Sequence, residues 1–338
     1  MKFGMKYLRI KIKEIAYLLV GFSMAAACTT PVYRTIDGFT QGTTYHIIYS
    51  DECGVVPDSL VERILTDFDL SLSVYNKGSL ITKVNNGEDV VVDTLFRNVF
   101  NKSLTIYKLS DGLVDVSASP LFNIWGFGFS NRSEITQERV DSALMLTGMD
   151  KIWLEGNRVI KSNPLVTVNF NAIAQGYTAD VVAAELDRIG IKNYLVEVGG
   201  EIFCKGVNPK GREWSVGIER PVDGNLIQGS DLQDIVLLKG GGLATSGNYR
   251  KFYEENGERY SHTINPKTGY PVRHSLLSAT VIAKDAMTAD AYATWFMVAG
   301  VESAKEIIET TPDIEGYLVY SSGDEIRVYK SAGINVKN

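Results

Sequence analysis

Histidine and cysteine are scarce in this sequence, three of each in 338 residues. With no CxxC pair and no His/Cys cluster, a structural zinc site is not expected. Cys53 and Cys204 have no spacing that predicts a bridge, and both read as small core residues. Charge of either sign is also modest. Charged residues make up 22% of the chain and the net charge is -6, which argues against a disordered chain and against a nucleic-acid-binding surface. A small phosphorylated ligand stays possible, since it needs only local positive charge or a metal. Neither GxxxxGK[ST] nor GxGxxG occurs, so a Walker loop and a Rossmann fingerprint are excluded as written. No repeat and no low-complexity linker divides the body, and the apolar run Ile15 to Ala27 is too short for a comfortable membrane span.

That apolar run does have a recognisable setting. Lys2, Lys6, Arg9, Lys11 and Lys13 precede it, and Ala25, Ala26 and Ala27 lead directly into Cys28. A basic segment, a short apolar segment and small residues before a cut site make a secretory signal. A cysteine at that point resembles a bacterial lipobox, with Ala25 where leucine is usual; the plainer alternative is an uncleaved anchor helix. The expected organisation is a signal peptide over 1–27, a tether over 28–36 from a lipidated Cys28, and a folded domain over 37–338. The domain is then expected outside the cytoplasm, tethered to a membrane, with no nucleic-acid partner.

The 45% of hydrophobic residues can build a substantial core. Strand patterns fall at Gly42–Tyr49, Val166–Phe170, Tyr194–Val198, Trp214–Glu219, Ile235–Lys239 and Leu277–Ala283, with a closing hairpin from Tyr317–Tyr320 and Ile326–Tyr329. Helical spacing falls at Pro57–Leu70, Phe96–Leu109, Ala172–Ile189 and Asp285–Ala299. Strands and helices mix without a strict βαβ rhythm. The expected fold class is therefore α+β, with mixed or antiparallel sheets and flanking helices in one compact or bilobed unit.

Three glycine-bearing stretches read as turns: EVGGEIFCKG from Glu197, KGGGLATSGNYR from Lys239 and NPKTGYPVR from Asn265. Glycine followed by small hydroxyl residues suits close backbone approach to a phosphate, although taken alone such a stretch is more often just a turn. The segment DAMTADAYATWF is more pointed. On a helix Asp290 and Thr294 are four apart and share a face, and Asp285 is placed to cap the start. A carboxylate beside a hydroxyl is hard-cation chemistry suited to Mg²⁺; the alternative is a solvated acidic face. His262 sits ahead of the Pro/Gly loop, His46 inside a predicted strand reads as packing, and His274 lies past the loop with no role assigned.

Together these motifs resemble a known family. GTTY, SVYNKGSLITKVN, DGLVDVSASPLFNIWGFG, VNFNAIAQGYTADVV, VEVGGEIFCKG, LATSGNYR, SHTINPKTGYP and the DAMTADAYATW helix follow one another as in the ApbE family, bacterial flavin transferases that move FMN from FAD onto a threonine or serine of an acceptor protein. The resemblance runs from about Asp37 to the C-terminus. It implies an α+β ApbE-like domain, FAD as substrate, and Mg²⁺ held by Asp290, Thr294 and a backbone oxygen of Ala172. It implies FAD contacts at Gln41, Tyr75, Leu113, Val114, Asp115, Asn169, Gln175 and Ile264, and a proton-transfer role for His262, whose alternative is a hydrogen bond that stabilises the turn. A base with a pKa near working pH suits deprotonation of a hydroxyl. Gln41, Asn169, Gln175, Ala293 and Asn265 depart from residues frequent in the family and give the site less negative charge, while the Asp290–Thr294 pair is intact. Two other readings share these residues: Mg²⁺-dependent hydrolysis of FAD to FMN and AMP, and a non-enzymatic flavin-binding lipoprotein. No dsxGAT-like acceptor segment occurs here, so a separate acceptor is implied, of the membrane redox subunit type.

Overall fold

Alternating β-branched and aromatic residues on either side of a Gln-Gly pair make the first hairpin. β1 (Tyr33–Thr40) and β2 (Thr43–Ser50) pair antiparallel from Tyr33 opposite Ser50 to Thr40 opposite Thr43. Both turn residues have positive φ, 51° at Gln41 and 76° at Gly42, the geometry whose twist matches a two-residue hairpin loop. The computed structural model describes residues 32–128, 134–221, 229, 231–248, 252–255 and 258–337. The signal segment and Cys28 lie outside the described residues. Tyr33 to Ile36 of the expected tether belong to β1, so the expected domain start at Asp37 falls inside a strand.

The remaining elements in chain order are α1 (Asp58–Leu72), α2 (Leu80–Asn85), α3 (Thr94–Leu109), α4 (Ser119–Ile124), α5 (Gln137–Leu144), β3 (Ile152–Glu155), β4 (Arg158–Lys161), α6 (Ala174–Arg188), β5 (Tyr194–Val198), β6 (Glu201–Lys205), β7 (Trp214–Glu219), β8 (Leu232–Leu238), β9 (Gly240–Gly247), β10 (Phe252–Glu255), β11 (Glu258–Ser261), β12 (Leu276–Ala283), α7 (Ala286–Ala299), α8 (Val301–Thr310), β13 (Glu315–Ser322) and β14 (Glu325–Lys330). An eight-stranded sheet in the order β1-β2-β5-β6-β9-β12-β13-β14 forms the centre. Every neighbouring pair in it is antiparallel. The α+β expectation holds, in its antiparallel form.

The two-residue period of the strands sorts side chains to two faces. Tyr194, Val196 and Val198 of β5 pack with Ile47 and Tyr49 of β2 against Ala179, Val182, Ala183 and Leu186 of α6. Leu195 points the other way and joins Trp214, Val216 and Ile218 of β7 and Val236 and Leu238 of β8. Helices thus cover one face and the β7–β8 hairpin the other. The largest cluster joins α3 and α7 to Ala279 and Val281 of β12. α7 is buried on almost every side, including Asp290 and Thr288, as a helix inside a core must be. The solvated acidic face is thereby excluded for Asp290.

Two expectations about elements need correction. KGGGLATSG is not a turn but β9, paired with β6 and β12 in the middle of the sheet. Its glycines make room: a Cβ on Gly242 would lie 2.2 Å from the backbone nitrogen of Ala286, at the first residue of α7. Val166–Phe170 is buried but forms no ladder. Its pairing partner is a side chain, for Asn85 donates to Val168 O at 2.9 Å and accepts from Val168 N at 2.8 Å. One amide at the end of α2 thus does for this segment what a strand neighbour would have done.

Candidate active site

The opening turn of α7 is held by two acids. Asp285, as expected from its position, is the N-cap and accepts from Thr288 N at 2.6 Å. Asp180 of α6 accepts from Ala286 N at 2.8 Å and Met287 N at 2.9 Å. Lys102 of α3 donates to the Thr288 hydroxyl and lies 3.8 Å from the Asp285 carboxylate. One turn further along α7, Asp290 is 5% exposed and its Oδ2 accepts from Gly176 N at 3.2 Å. Gly176 is where the two helices touch: a Cβ there would lie 2.4 Å from Ala286 O and 2.9 Å from Asp290 Cβ. Because the first of these is backbone, a methyl group would force the helices apart. Gly176→Ala is expected to cost about 1–3 kcal/mol and to lower the thermal midpoint measured by calorimetry. An unchanged midpoint would show that the contact can relax.

The same hydrogen bond leaves oxygens behind. The Gly176 N–H that would close a helical bond onto Ala172 O goes to Asp290 instead, and among the described residues the Ala172 carbonyl has no hydrogen-bond partner. The second oxygen of Asp290 and the hydroxyl of the half-buried Thr294 make none either. Burial pushes the Asp290 carboxyl up to about 7 against the Gly176 amide, which lowers it, with Asp180 nearby raising it further. A buried carboxylate, a hydroxyl and a carbonyl, all oxygen donors and all spare, suit a hard divalent cation. Among the described residues no group of three or more His, Cys, Asp or Glu side chains is arranged to hold a metal, so an ion here depends on one carboxylate, two neutral oxygens and oxygens from its ligand. The sequence-predicted set Ala172, Asp290 and Thr294 therefore fits Mg²⁺.

Of the residues expected to touch FAD, Gln41, Asn169 and Gln175 lie next to this junction. Gln41 donates from Nε2 to the Thr178 hydroxyl of α6 at 2.7 Å, tying the strained β1–β2 turn to the helix that begins beside Ala172. Gln175 lies against Gly199 in the β5–β6 turn, where a Cβ would come within 2.6 Å of its Nε2. Asn169 donates its N–H to Val116 O at 2.7 Å, which brings Leu113, Val114 and Asp115 to the same edge. Asp115 accepts from the Ser117 amide at 2.8 Å and hydroxyl at 2.6 Å, and burial raises its pKa over those bonds. Val114 is buried and its N–H goes to Ser110 Oγ, so its side chain serves the core. Tyr75, 72% exposed, stands on the loop between α1 and α2.

His262 and Ile264 belong to the SHTINPKTG segment, which packs on the chain just after Asp115 through Ile264 and Ala118. Ile264 is buried with Ala118, Leu121 and Trp125, so its side chain packs and only its backbone can face a ligand. Trp125 Nε1 donates to Gly269 O at 2.8 Å and stacks on Tyr260 at 5.8 Å, holding the SHTINPKTG segment to α4. His262 is half-buried beside Phe127, ring centroids 6.4 Å apart and edge-on. A cleft of about 610 Å³ lies between the two segments, lined by Tyr107, Gly112, Asp115, Thr147, Gly148 and Pro266 among others, with Lys267 and Asp111 paired at 2.6 Å beside it.

A profile of the ApbE family matches residues 41–318. The FAD:protein FMN transferase of Haemophilus influenzae is 35% identical over 313 residues, covering 88% of this chain and 90% of that one. The chain belongs to the ApbE family. The FAD:protein FMN transferase of Vibrio cholerae is 34% identical over 93% of this chain and 96% of its own length. The solved flavin transferase ApbE from Vibrio cholerae superposes with a TM-score of 0.80 at 34% identity over 89% of this chain and 98% of that structure. The apo flavinyl transferase ApbE of Pseudomonas stutzeri gives 0.80 at 31% identity over 90% and 96%.

Within this ApbE fold the other histidines and the cysteines are peripheral to the junction. His46 is not a packing residue: it stands half-exposed opposite Asp37 and contacts its carboxylate. His274 accepts from Leu276 N at Nδ1, so its Nε2 is the protonated nitrogen and donates to Met297 O at 2.8 Å; burial lowers its pKa. Cys204 is a core residue whose thiol burial pushes up to about 12. Cys53 is exposed, contrary to expectation, and the two thiols are not joined. Sequence reading missed Asp180, Asn85 and Trp125. Asp180 alone left a signal, lying four residues after Gly176 on one face of α6.

Proposed function

We propose that this ApbE-family transferase moves FMN from FAD to a threonine or serine hydroxyl of a separate acceptor protein and releases AMP. The observation that carries the reading is the diverted Gly176 N–H, which leaves the Ala172 carbonyl, the second Asp290 oxygen and the Thr294 hydroxyl spare on one helix junction. Mg²⁺ bound there would supply charge neutralisation for the diphosphate of FAD. The chemistry exchanges one P–O bond for another. The acceptor oxygen bonds the phosphorus of the FMN half, the bond from that phosphorus to the AMP oxygen breaks, and the hydroxyl proton must leave. His262 is the side chain assigned to take that proton, since an imidazole titrates near neutral pH and a hydroxyl is a poor nucleophile until deprotonated. Asp115, Asn169 and Gln175 line the approach and orient the dinucleotide, and Tyr75 offers an exposed ring on which an aromatic system can stack.

The signal segment and Cys28 support a lipid-anchored enzyme whose catalytic domain lies outside the cytoplasm, where its acceptor is a membrane redox subunit carrying covalent FMN. The test mixes the purified full-length protein, FAD, Mg²⁺ and a candidate acceptor domain. Mass spectrometry is expected to find the acceptor heavier by one FMN, with AMP released in equal amount. Free FMN with an unmodified acceptor would replace the transfer reading with FAD hydrolysis, and intact bound FAD would replace it with a flavin carrier.

A further inference from the structure

Asp180 has no part in the proposed reaction, yet it is a half-buried carboxylate aimed from α6 at the first turn of α7. Its two oxygens are used separately: Oδ1 takes the Ala286 amide at 2.8 Å and Oδ2 the Met287 amide at 2.9 Å. The next amide, Thr288, is already taken by the N-cap Asp285 at 2.6 Å. The helix therefore has a cap of its own, and Asp180 adds something a cap does not, a two-point bond between helices. A second bond runs parallel to it. Gly176, four residues earlier on α6, donates to Asp290, four residues after Ala286 on α7. Residues one turn apart on one helix thus meet residues one turn apart on the other, so the two contacts together fix the register.

We propose that Asp180 is a positioning residue for the divalent cation: by clamping Ala286 and Met287 it sets the α6–α7 register that puts Asp290 on the Gly176 amide and leaves the Ala172 carbonyl free. The inference rests on the reading that Ala172, Asp290 and Thr294 hold the ion. Slipping α7 by one residue against α6 would turn Asp290 about 100° around its helix, away from Gly176, and the Gly176 N–H could then return to Ala172 O and consume a ligand. Gly242 of β9, already in contact distance of Asp285 and Ala286, closes the other side of this first turn. Asp180 thereby converts a helix start into a fixed platform.

The experiment titrates Mn²⁺ alone into the full-length wild type, Asp180→Asn and Asp290→Asn, reading free ion by EPR, with circular dichroism and a metal-free thermal melt recorded for each. Mn²⁺ prefers the same oxygen ligands as Mg²⁺. Asn keeps the shape but replaces one acceptor oxygen by a donor that faces an amide. Asp180→Asn is expected to remain folded and to bind about ten- to a hundredfold more weakly, the range typical of residues that orient a ligand without touching the metal. Unchanged affinity overturns the proposal, even if the melt shifts, because Asp180 would then be merely structural. Equal binding by wild type and Asp290→Asn would instead overturn the metal site itself and this inference with it. Should Asp180→Asn not fold, Asp180→Glu carries the test. It keeps both acceptor oxygens on a longer arm, and weaker binding with intact dichroism supports the clamp while full affinity removes it.

Discussion

Asp290→Asn is expected to lower FMN transfer at least about a hundredfold while leaving the metal-free protein as stable as the wild type or more so. The two effects have opposite signs because they come from different states. In the metal-free fold the carboxyl is buried with one amide for company, and burial pushes it up to about 7. The folded state then holds a proton that the unfolded chain has lost, so stability falls as pH rises from the usual carboxylate range, about 4, through about 7. Asparagine removes that dependence together with the buried charge. In an enzyme loaded as proposed, the same carboxylate would be the charged member of an otherwise neutral donor set. Losing several kcal/mol of charge stabilisation there corresponds to a rate loss of a hundredfold or more. Transfer rates with saturating Mg²⁺ and metal-free melts across pH 4 to 8 check both halves. Asp180, half-buried near Asp290, is likewise pushed up to about 7 by desolvation, so the wild-type stability profile belongs to the pair. A variant that keeps its rate would remove Asp290 from the ion.

The same sites show how far the sequence could be read. The α7 signal is local: Asp285 caps its own helix, and Asp290 and Thr294 are one turn apart, so pattern and spacing were enough. The strands β5 and β7 were equally legible, β5 as an apolar run covered on both faces and β7 as a strict alternation of buried and exposed residues. β9 was not, because GGGLATSG has the composition of a turn. Its glycines answer to the start of α7, more than 40 residues away, and local pattern holds no trace of that. Val166–Phe170 failed for the converse reason. It has strand composition, but both backbone groups of Val168 are met by the Asn85 side chain 83 residues earlier, and Asn169 N–H goes to Val116 O. The proposed metal set was suggested by a carboxylate and hydroxyl at helical spacing, and Ala172 came only through family resemblance. What makes Ala172 available, the loss of its helical hydrogen bond to a carboxylate 114 residues beyond Gly176, is a property of the folded chain alone.

His262→Ala is expected to slow transfer about a hundred- to ten-thousandfold with FAD affinity in Mg²⁺ little changed. His262 is half-buried against Phe127, and the segment carrying it is held by contacts that do not involve the imidazole: Trp125 to Gly269 O, Val272 N to Thr263 O at 2.9 Å, and Ile264 within its own cluster. Removing the ring therefore leaves the turn anchored, and an effect on rate can be separated from an effect on fold. If the imidazole takes the hydroxyl proton, the wild-type rate falls on the acid side as the base becomes protonated, and that limb is expected to vanish in the variant. FAD binding by fluorescence quenching and rate against pH distinguish the possibilities. A variant that loses FAD binding and melts earlier would make His262 a structural member of the loop, and one that retains both rate and acid limb would move the base elsewhere.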